Sequence, residues 1–308
     1  MADPVESRSN RVGIEVSNSF FRAVLIDEKD AISATFSAAV EPDEDRAEQL
    51  VGFVKRLKTE FGNFSRAGVS FPGLVDREAQ RVAFSAQIPE HSDIDLVGQI
   101  RSAAGIEAVI ENDANAAAYG EYKLGAGRGS RDLFYITLGE GVGGAFIFNG
   151  EIWHGAAGFA GEFGYVPIDA EGTKLEDVAS TVNIIRRTQS RFHQDNTSSL
   201  NSLDEDAITL EAIIKAATKD DDFAQMMLKR TGAYVGSAVA SVINLLNIEK
   251  IVIGGEIMKA KHLVLDGIIQ RSKELSFRPS FDSTKIVEGK LGENAAAAGA
   301  ALLAGQSQ

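Results

Sequence analysis

Apolar residues recur along this chain with two different periods. After a polar start, "RVGIEVSNSFFRAVLID" (11–27) alternates apolar and polar positions around a polar centre. It predicts two short strands joined by a turn, with "EKDAI" (28–32) as the next hairpin turn. From Asp43 to Phe61 the period changes. Ala47, Leu50, Val51, Val54, Leu57 and Phe61 fall three and four apart, an amphipathic helix with an acidic first turn whose stripe should cover a sheet. "RAGVSFPGLVD" (66–76) reads as a strand ending at Pro72-Gly73, and "AVIEND" (108–113) as an apolar strand with a polar tip. "ANAAAYGEYKLGAG" then starts a small-residue helix, and "LFYITLG" and "GGAFIFNGEIW" are two strands joined by a glycine loop. A polar connector (195–206) precedes long helical periodicity over 209–247. "KIVIGGEI" (250–257) is a strand with a glycine end, and "NAAAAGAALLAG" (294–305) closes the chain as a helix. Strands alternating with helices predict an α/β protein, and no short-period repeat is visible.

Length and charge narrow this picture. At 308 residues the chain exceeds the roughly 250–300 at which single cores stop growing, which favours two lobes with a cleft. Apolar residues at 44% and charged ones at 24% describe an ordinary globular composition. A formal net charge of −13, without a dense Lys/Arg cluster, argues against nucleic acid and anionic membranes as partners. "MADPVESRSN" is polar and lacks the apolar core of a signal peptide, so the expected location is the cytoplasm. With no cysteine there are no disulfides or thiolate metal sites. His91, His154, His193 and His262 are too scattered to suggest a metal cluster.

Four strand ends carry polar or glycine tips: "EVSNS", "FPG", "ENDAN" and "TLGEGVGG". Ligands of open α/β sheets bind beyond the carboxyl ends of strands, so the tips are candidates for one site, although each alone reads equally as a turn. Their order resembles the ROK family (repressor, open reading frame, kinase), which contains bacterial glucokinase-like sugar kinases, from Arg11 to about Gly305. The most specific matches are "IENDANAAAYGE" (110–121) and "GFAGEFGY" (158–165).

The resemblance implies an actin-like, ribonuclease H-like two-lobed α/β fold with a central cleft. The small lobe would be residues 1–115 plus a closing helix at 292–306, and the large lobe 116–291. It makes Asp113 the general base and Asn112 the holder of a neighbouring hydroxyl. A carboxylate at a strand tip suits the loss of a proton as an alcohol attacks a phosphoryl group, while the same Asn-Asp pair also suits a helix cap. Glu162 and Glu176 would bind sugar hydroxyls, as paired carboxylates do well, with solvated surface as the alternative. Gly73 and Tyr165 complete the sugar side. Gly254-Gly255 would lie against adenosine or simply form a strand-to-helix turn.

The phosphate side departs from the family. Its first loop, Asp-x-Gly-Gly-Thr, is here Glu15, Val16, Ser17, Asn18 and Ser19, so two glycines are lost. Side chains on Ser17 and Asn18 would crowd a close backbone approach, Ser19 keeps a hydroxyl where the family has Thr, and Glu15 keeps a carboxylate for a magnesium hydration shell. The second loop, Gly-Thr-Gly in the family, becomes Gly139-Glu140-Gly141, followed by Gly143. A carboxylate about 4 Å from a phosphate charge at an effective dielectric near 20 costs roughly 4 kcal/mol, about three decades in affinity. Turning Glu140 to solvent, or pairing it with Arg128 or Arg131, would remove most of that cost. The family's zinc segment is missing, with Tyr165 at the position of its His.

The expectation is therefore an ATP- and magnesium-dependent, zinc-free kinase of a hexose hydroxyl that converts glucose to glucose 6-phosphate, working as a cytoplasmic homodimer. The competing reading is a sugar-binding or regulatory ROK protein that has lost phosphate binding. A donor such as polyphosphate is a third, and would suffer more from Glu140. The chain begins directly at its first strand, without the winged-helix arm of the repressors, which disfavours the DNA-binding branch.

Overall fold

The structure, a computed structural model, describes residues 10–85, 88 and 94–306; the polar N-terminal tail and His91 lie outside the described residues. The chain divides into two compact units. Unit 1 takes in the chain to Arg128, Ile152–Ala160 and the segment from Glu293 onward, and unit 2 comprises Gly129–Glu151 and Gly161–Gly292.

Unit 1 runs β1 (Arg11–Val16), β2 (Phe20–Ile26), β3 (Ile32–Ala39), α1 (Arg46–Glu60), β4 (Arg66–Phe71), β5 (Leu74–Asp76), β6 (Arg81–Phe84), α2 (Leu96–Ala104), β7 (Glu107–Asn112) and α3 (Asp113–Leu124). Its main sheet has the order β3-β2-β1-β4-β7. β1–β2 and β2–β3 are antiparallel hairpin pairs, whereas β1–β4 and β4–β7 are parallel. Helix α1 covers one face through Phe53, whose ring lies 5.5 Å from Phe21 and 5.6 Å from Phe36. The helix begins three residues later than its periodicity suggests because Asp45 is its cap, accepting the Glu48 N–H at 2.8 Å.

Unit 2 contains β8 (Leu133–Leu138), β9 (Val142–Phe148), α4 (Glu176–Ala179), α5 (Thr181–Gln189), α6 (Leu210–Ala217), α7 (Asp222–Leu246), β11 (Lys250–Gly254), α8 (His262–Leu275), α9 (Arg278–Ser283) and β12 (Lys285–Glu288), while β10 (Glu151–Trp153) starts at its residue Glu151 and runs into the Ile152–Ala160 segment. The sheet order, β10-β9-β8-β11-β12, repeats that of unit 1: antiparallel pairing on one side of the first strand, parallel on the other. The helical periodicity of 209–247 is split in two. Asp220 turns to φ 62° and Asp221 caps α7, accepting the Ala224 N–H at 3.0 Å, so "KDDD" breaks the helix. Among the described residues no helix is long and apolar enough to cross a membrane.

The last helix, α10 (Ala295–Ala304), lies on the other face of the unit 1 sheet. Gly13 and Gly68 are register partners on β1 and β4, and a Cβ on either would run into the α10 backbone at Ala297 or Ala300. The same holds between helices, where a Cβ on Gly299 would collide with the Ala116 carbonyl and one on Gly120 with that of Ala295. Because α3 packs along α10, unit 1 extends past residue 115 to Arg128. Glycine and alanine are needed here for backbone-to-backbone approach. Replacing Gly299 with Ala is expected to destabilise unit 1 by about 1–3 kcal/mol through overpacking, read as a lower denaturant midpoint at unchanged slope.

Candidate functional site

The tip of β7 in unit 1 is built around Asn112. Its extended backbone ends the strand, and its Oδ1 accepts the Asn115 N–H at 3.0 Å, capping α3. Its amide nitrogen donates to the Gly73 carbonyl and to Asp113 Oδ1, both at 3.0 Å. Asp113 Oδ1 also accepts the Ala114 N–H at 2.9 Å, so two N–H donors orient this carboxylate. Capping and presentation of Asp113 are thus one arrangement. Gly73 sits at φ 150°, where a Cβ would meet the Phe84 carbonyl and Ser85, so this turn requires glycine.

Behind the tip is a group absent from the expectations above. Buried Glu111 accepts the Asn112 N–H at 2.9 Å, Asn115 Nδ2 at 3.0 Å and His154 Nε2 at 3.0 Å. Arg77 adds its Nε 3.7 Å from Glu111 and an Nη1 3.2 Å from His154 Nδ1. Burial alone would raise the Glu111 carboxyl, but the bonds from His154, Asn115 and Asn112 outweigh it and hold the group below the usual range. The only sequence signal was a glutamate inside an apolar strand; its histidine partner is distant in sequence.

The β1–β2 turn holds Glu15, Asn18 and Ser19. Ser17 Oγ accepts the N–H groups of Ser19 (3.3 Å) and Phe20 (3.1 Å) and donates to the Phe20 carbonyl at 3.0 Å. Arg46 grips the outside, donating to the Ser17 and Asn18 carbonyls, both at 3.0 Å. Glu15 faces Arg22 across the β1–β2 pair, 3.3 Å from its Nη1, and Arg22 reaches on to Glu293 at 2.9 Å. Burial, opposed by Arg22 and reinforced by the charge of Asp113, pushes the Glu15 carboxyl up to about 7. These residues do not fit the groups that the resemblance implies. Two amides that would meet a phosphate are occupied by a serine, and the carboxylate that would meet a magnesium shell is held by a guanidinium.

In unit 2 the glycine loop is open where the first turn is closed. Gly139 N–H donates to the Gly141 carbonyl at 3.0 Å, and Thr181 N–H to the Gly139 carbonyl at 2.8 Å. Among the described residues nothing accepts from the N–H groups of Glu140 or Gly141, so this loop fits an outside oxyanion. The Glu140 side chain is exposed. Arg131 does not neutralise it. It lies at the opposite end of β8, where its Nε donates to Asn149 at 2.8 Å and sits 3.7 Å from Asp132. Gly143 lies within β9, paired with Thr137.

Glu176 braces this loop, accepting the Val142 N–H at 2.9 Å, a bond that uses one of the oxygens expected to face sugar. Glu162 is its electrostatic neighbour, and partial burial first, then the Glu176 charge, raises its carboxyl. Tyr165 is 60% exposed, with the Lys174 ammonium 3.9 Å from its ring centroid. Gly254 and Gly255 have a packing reason of their own: side chains there would collide with Tyr135 and with the Leu138 backbone, and Gly255 holds φ 92°. The following Glu256 accepts from Thr181 Oγ1 at 2.6 Å.

Because the raised Glu15 carboxyl is protonated more readily folded than unfolded, its contribution to stability is full below about pH 4.5 and is lost as pH rises through about 7. Glu15→Gln should flatten that fall, leaving the variant roughly 2 kcal/mol more stable relative to wild type at pH 8 than at pH 5 in chemical denaturation.

Comparison with known proteins accords with this geometry. The chain matches the ROK family over residues 11–307. It is 30% identical over 310 residues to a glucokinase of Thermotoga maritima, covering 95% of this chain and 96% of that protein. A xylose repressor of Bacillus subtilis is 25% identical over 302 residues, covering 94% of this chain and 75% of the repressor. Among solved structures, a ROK family glucokinase from Streptomyces griseus in complex with glucose and AMPPNP superposes with a TM-score of 0.86 at 27% identity, covering 97% of this chain and 100% of that one. With its two like-ordered sheets and this match along nearly its full length, the chain belongs to the ROK family and has the actin-like ATPase fold.

Proposed function

We propose that this protein is a sugar kinase that phosphorylates a hexose hydroxyl, with ATP as donor and glucose, at its 6 position, as the first substrate. The observation that carries the reading is the Asp113 carboxylate, fixed by Asn112 and the Ala114 N–H at the start of α3. In that role it accepts the hydroxyl proton as the oxygen becomes nucleophilic. Asn112 donates both amide hydrogens within the protein, and Oδ1, which accepts the Asn115 N–H, has a second lone pair for a neighbouring hydroxyl. Gly73, Glu162, Tyr165 and Glu176 are the other sugar-side assignments. ATP when bound supplies the phosphoryl group. The N–H groups of Glu140 and Gly141 would hold its phosphates, with Gly254-Gly255 toward its adenosine. No step is assigned to magnesium at Glu15, which Arg22 holds. The reading includes a cytoplasmic homodimer acting on a small sugar.

One observation favours a second reading, a sugar-binding ROK protein without turnover: Ser17 satisfies the first phosphate turn from within. The two readings part on a single assay, sugar-dependent ADP formation across glucose, mannose, fructose, N-acetylglucosamine and N-acetylmannosamine. Trp153, 51% exposed beside His154, offers a fluorescence signal for sugar binding in either case. A kinase should turn over one of these sugars, and Asp113→Asn should lower kcat by about 10²–10⁴-fold with little change in sugar affinity. Unchanged turnover in that variant would remove Asp113 from the mechanism. Ser17→Gly, which frees the Ser19 and Phe20 amides, should tighten AMPPNP binding in calorimetry; equal affinity in wild type and variant would show that this turn does not limit nucleotide.

A further inference from the structure

The C-terminal half of α5, the turn that follows it and α7, all in unit 2, bring together Arg186, Arg187, Arg191 and Arg230, none of which the proposed reaction uses. Arg187 is half-buried. Its Nη2 donates to Thr231 Oγ1 at 2.7 Å, but Nε and Nη1 are enclosed, and no described residue accepts from them. Its guanidinium carbon lies 5.3 Å from the Tyr234 ring centroid, and that of Arg230 lies 5.7 Å from the same ring. Arg230 Nε donates to the Tyr234 hydroxyl at 3.0 Å. Arg186 reaches only the Asp177 carbonyl, at 3.5 Å. Among the described residues none of the four arginines forms an ion pair, in a chain whose net charge is −13.

The charges of Arg230, Arg191 and Arg186 repel that of Arg187, and enclosed N–H donors without acceptors are costly. The face of Tyr234 offsets part of this for two of them. Burial above all, with the nearby positive charges adding to it, pulls the Arg187 guanidinium down to about 10. What the arrangement lacks is a compact oxyanion carrying more than one negative charge. Guanidinium forks match tetrahedral phosphate oxygens through paired N–H bonds. An extended polyanion is disfavoured, because the rest of this acidic surface would repel it.

We propose that Arg187, with Arg191, Arg186 and Arg230 around it, forms a binding site for a phosphate dianion, either free or as the monoester group of a phosphorylated sugar. Its position matters because α5 is shared: Thr181, at the other end of this nine-residue helix, donates its N–H to the Gly139 carbonyl of the glycine loop.

The test is thermal denaturation and calorimetry of the full chain with sodium phosphate and, separately, with glucose 6-phosphate, against sodium chloride of equal ionic strength. A saturable rise in midpoint is expected with at least one of them, with affinity lowered about tenfold or more in Arg230→Ala and in Arg187→Met. A response to both means that the phosphate group itself is recognised, and a response to one identifies the source. Arg230 is exposed, so its variant remains informative if Arg187→Met does not fold. No shift beyond the chloride control overturns the proposal. So does a shift that Arg230→Ala leaves unchanged, since product bound at the sugar residues would behave in that way.

Discussion

One side-chain amide carries the geometry of the unit 1 tip. Asn112 ends a parallel strand and begins a helix within a single residue, and its three hydrogen bonds run to the helix, to Asp113 and to the turn at Gly73. An amide can do this because it accepts on one atom and donates twice from the other. Aspartate would lose both donated bonds, and serine would reach fewer partners. Glu111 and His154 hold the strand behind it, so the residue 152–160 segment is tied to the same tip by a buried carboxylate. Removing one partner of such a carboxylate leaves it enclosed and unsatisfied, which is why these contacts act together.

The β1–β2 and β8–β9 turns show how similar hairpin ends reach opposite electrostatic states. In the β1–β2 turn a serine hydroxyl takes two amides, an arginine takes two carbonyls, and a second arginine takes the adjacent carboxylate. Most of the polar groups of this turn are met from within the protein. In the β8–β9 loop, Thr181 and Glu176 brace the ends from outside, and no described residue accepts from the N–H groups of Glu140 and Gly141 in the middle. What separates the cases is a side chain short enough and close enough to satisfy the backbone first, which Ser17 supplies and the glycines of the second loop do not.

Backbone proximity is the second recurring constraint. Gly13, Gly68, Gly120 and Gly299 let α10 lie flush on a sheet and a helix, and Gly254 and Gly255 do the same for β11 against β8. Such contacts gain many small dispersion terms and exclude water, but they tolerate no added methyl group. In unit 2 the shared element is α5, anchored at one end to the glycine loop and carrying the arginine cluster at the other.

By itself the sequence determined the alternation of strands and helices, the α/β class and the family, because period-two and period-3.6 patterns and the "ENDAN" and "AGEFGY" runs are local signals. It also located the tips, since glycine and polar residues interrupt apolar strands there. Helix ends were less legible: Asp45 and Asp221 act as caps, where periodicity alone placed both inside helices. Partnerships were decided only by the tertiary structure. Glu15 with Arg22 depends on hairpin register, Glu111 with His154 on a contact spanning 43 residues, and Glu176 with Val142 on one spanning 34. Whether a carboxylate is available to a ligand depends on which donor reaches it first, and that is set by three-dimensional distance, which no spacing along the chain encodes.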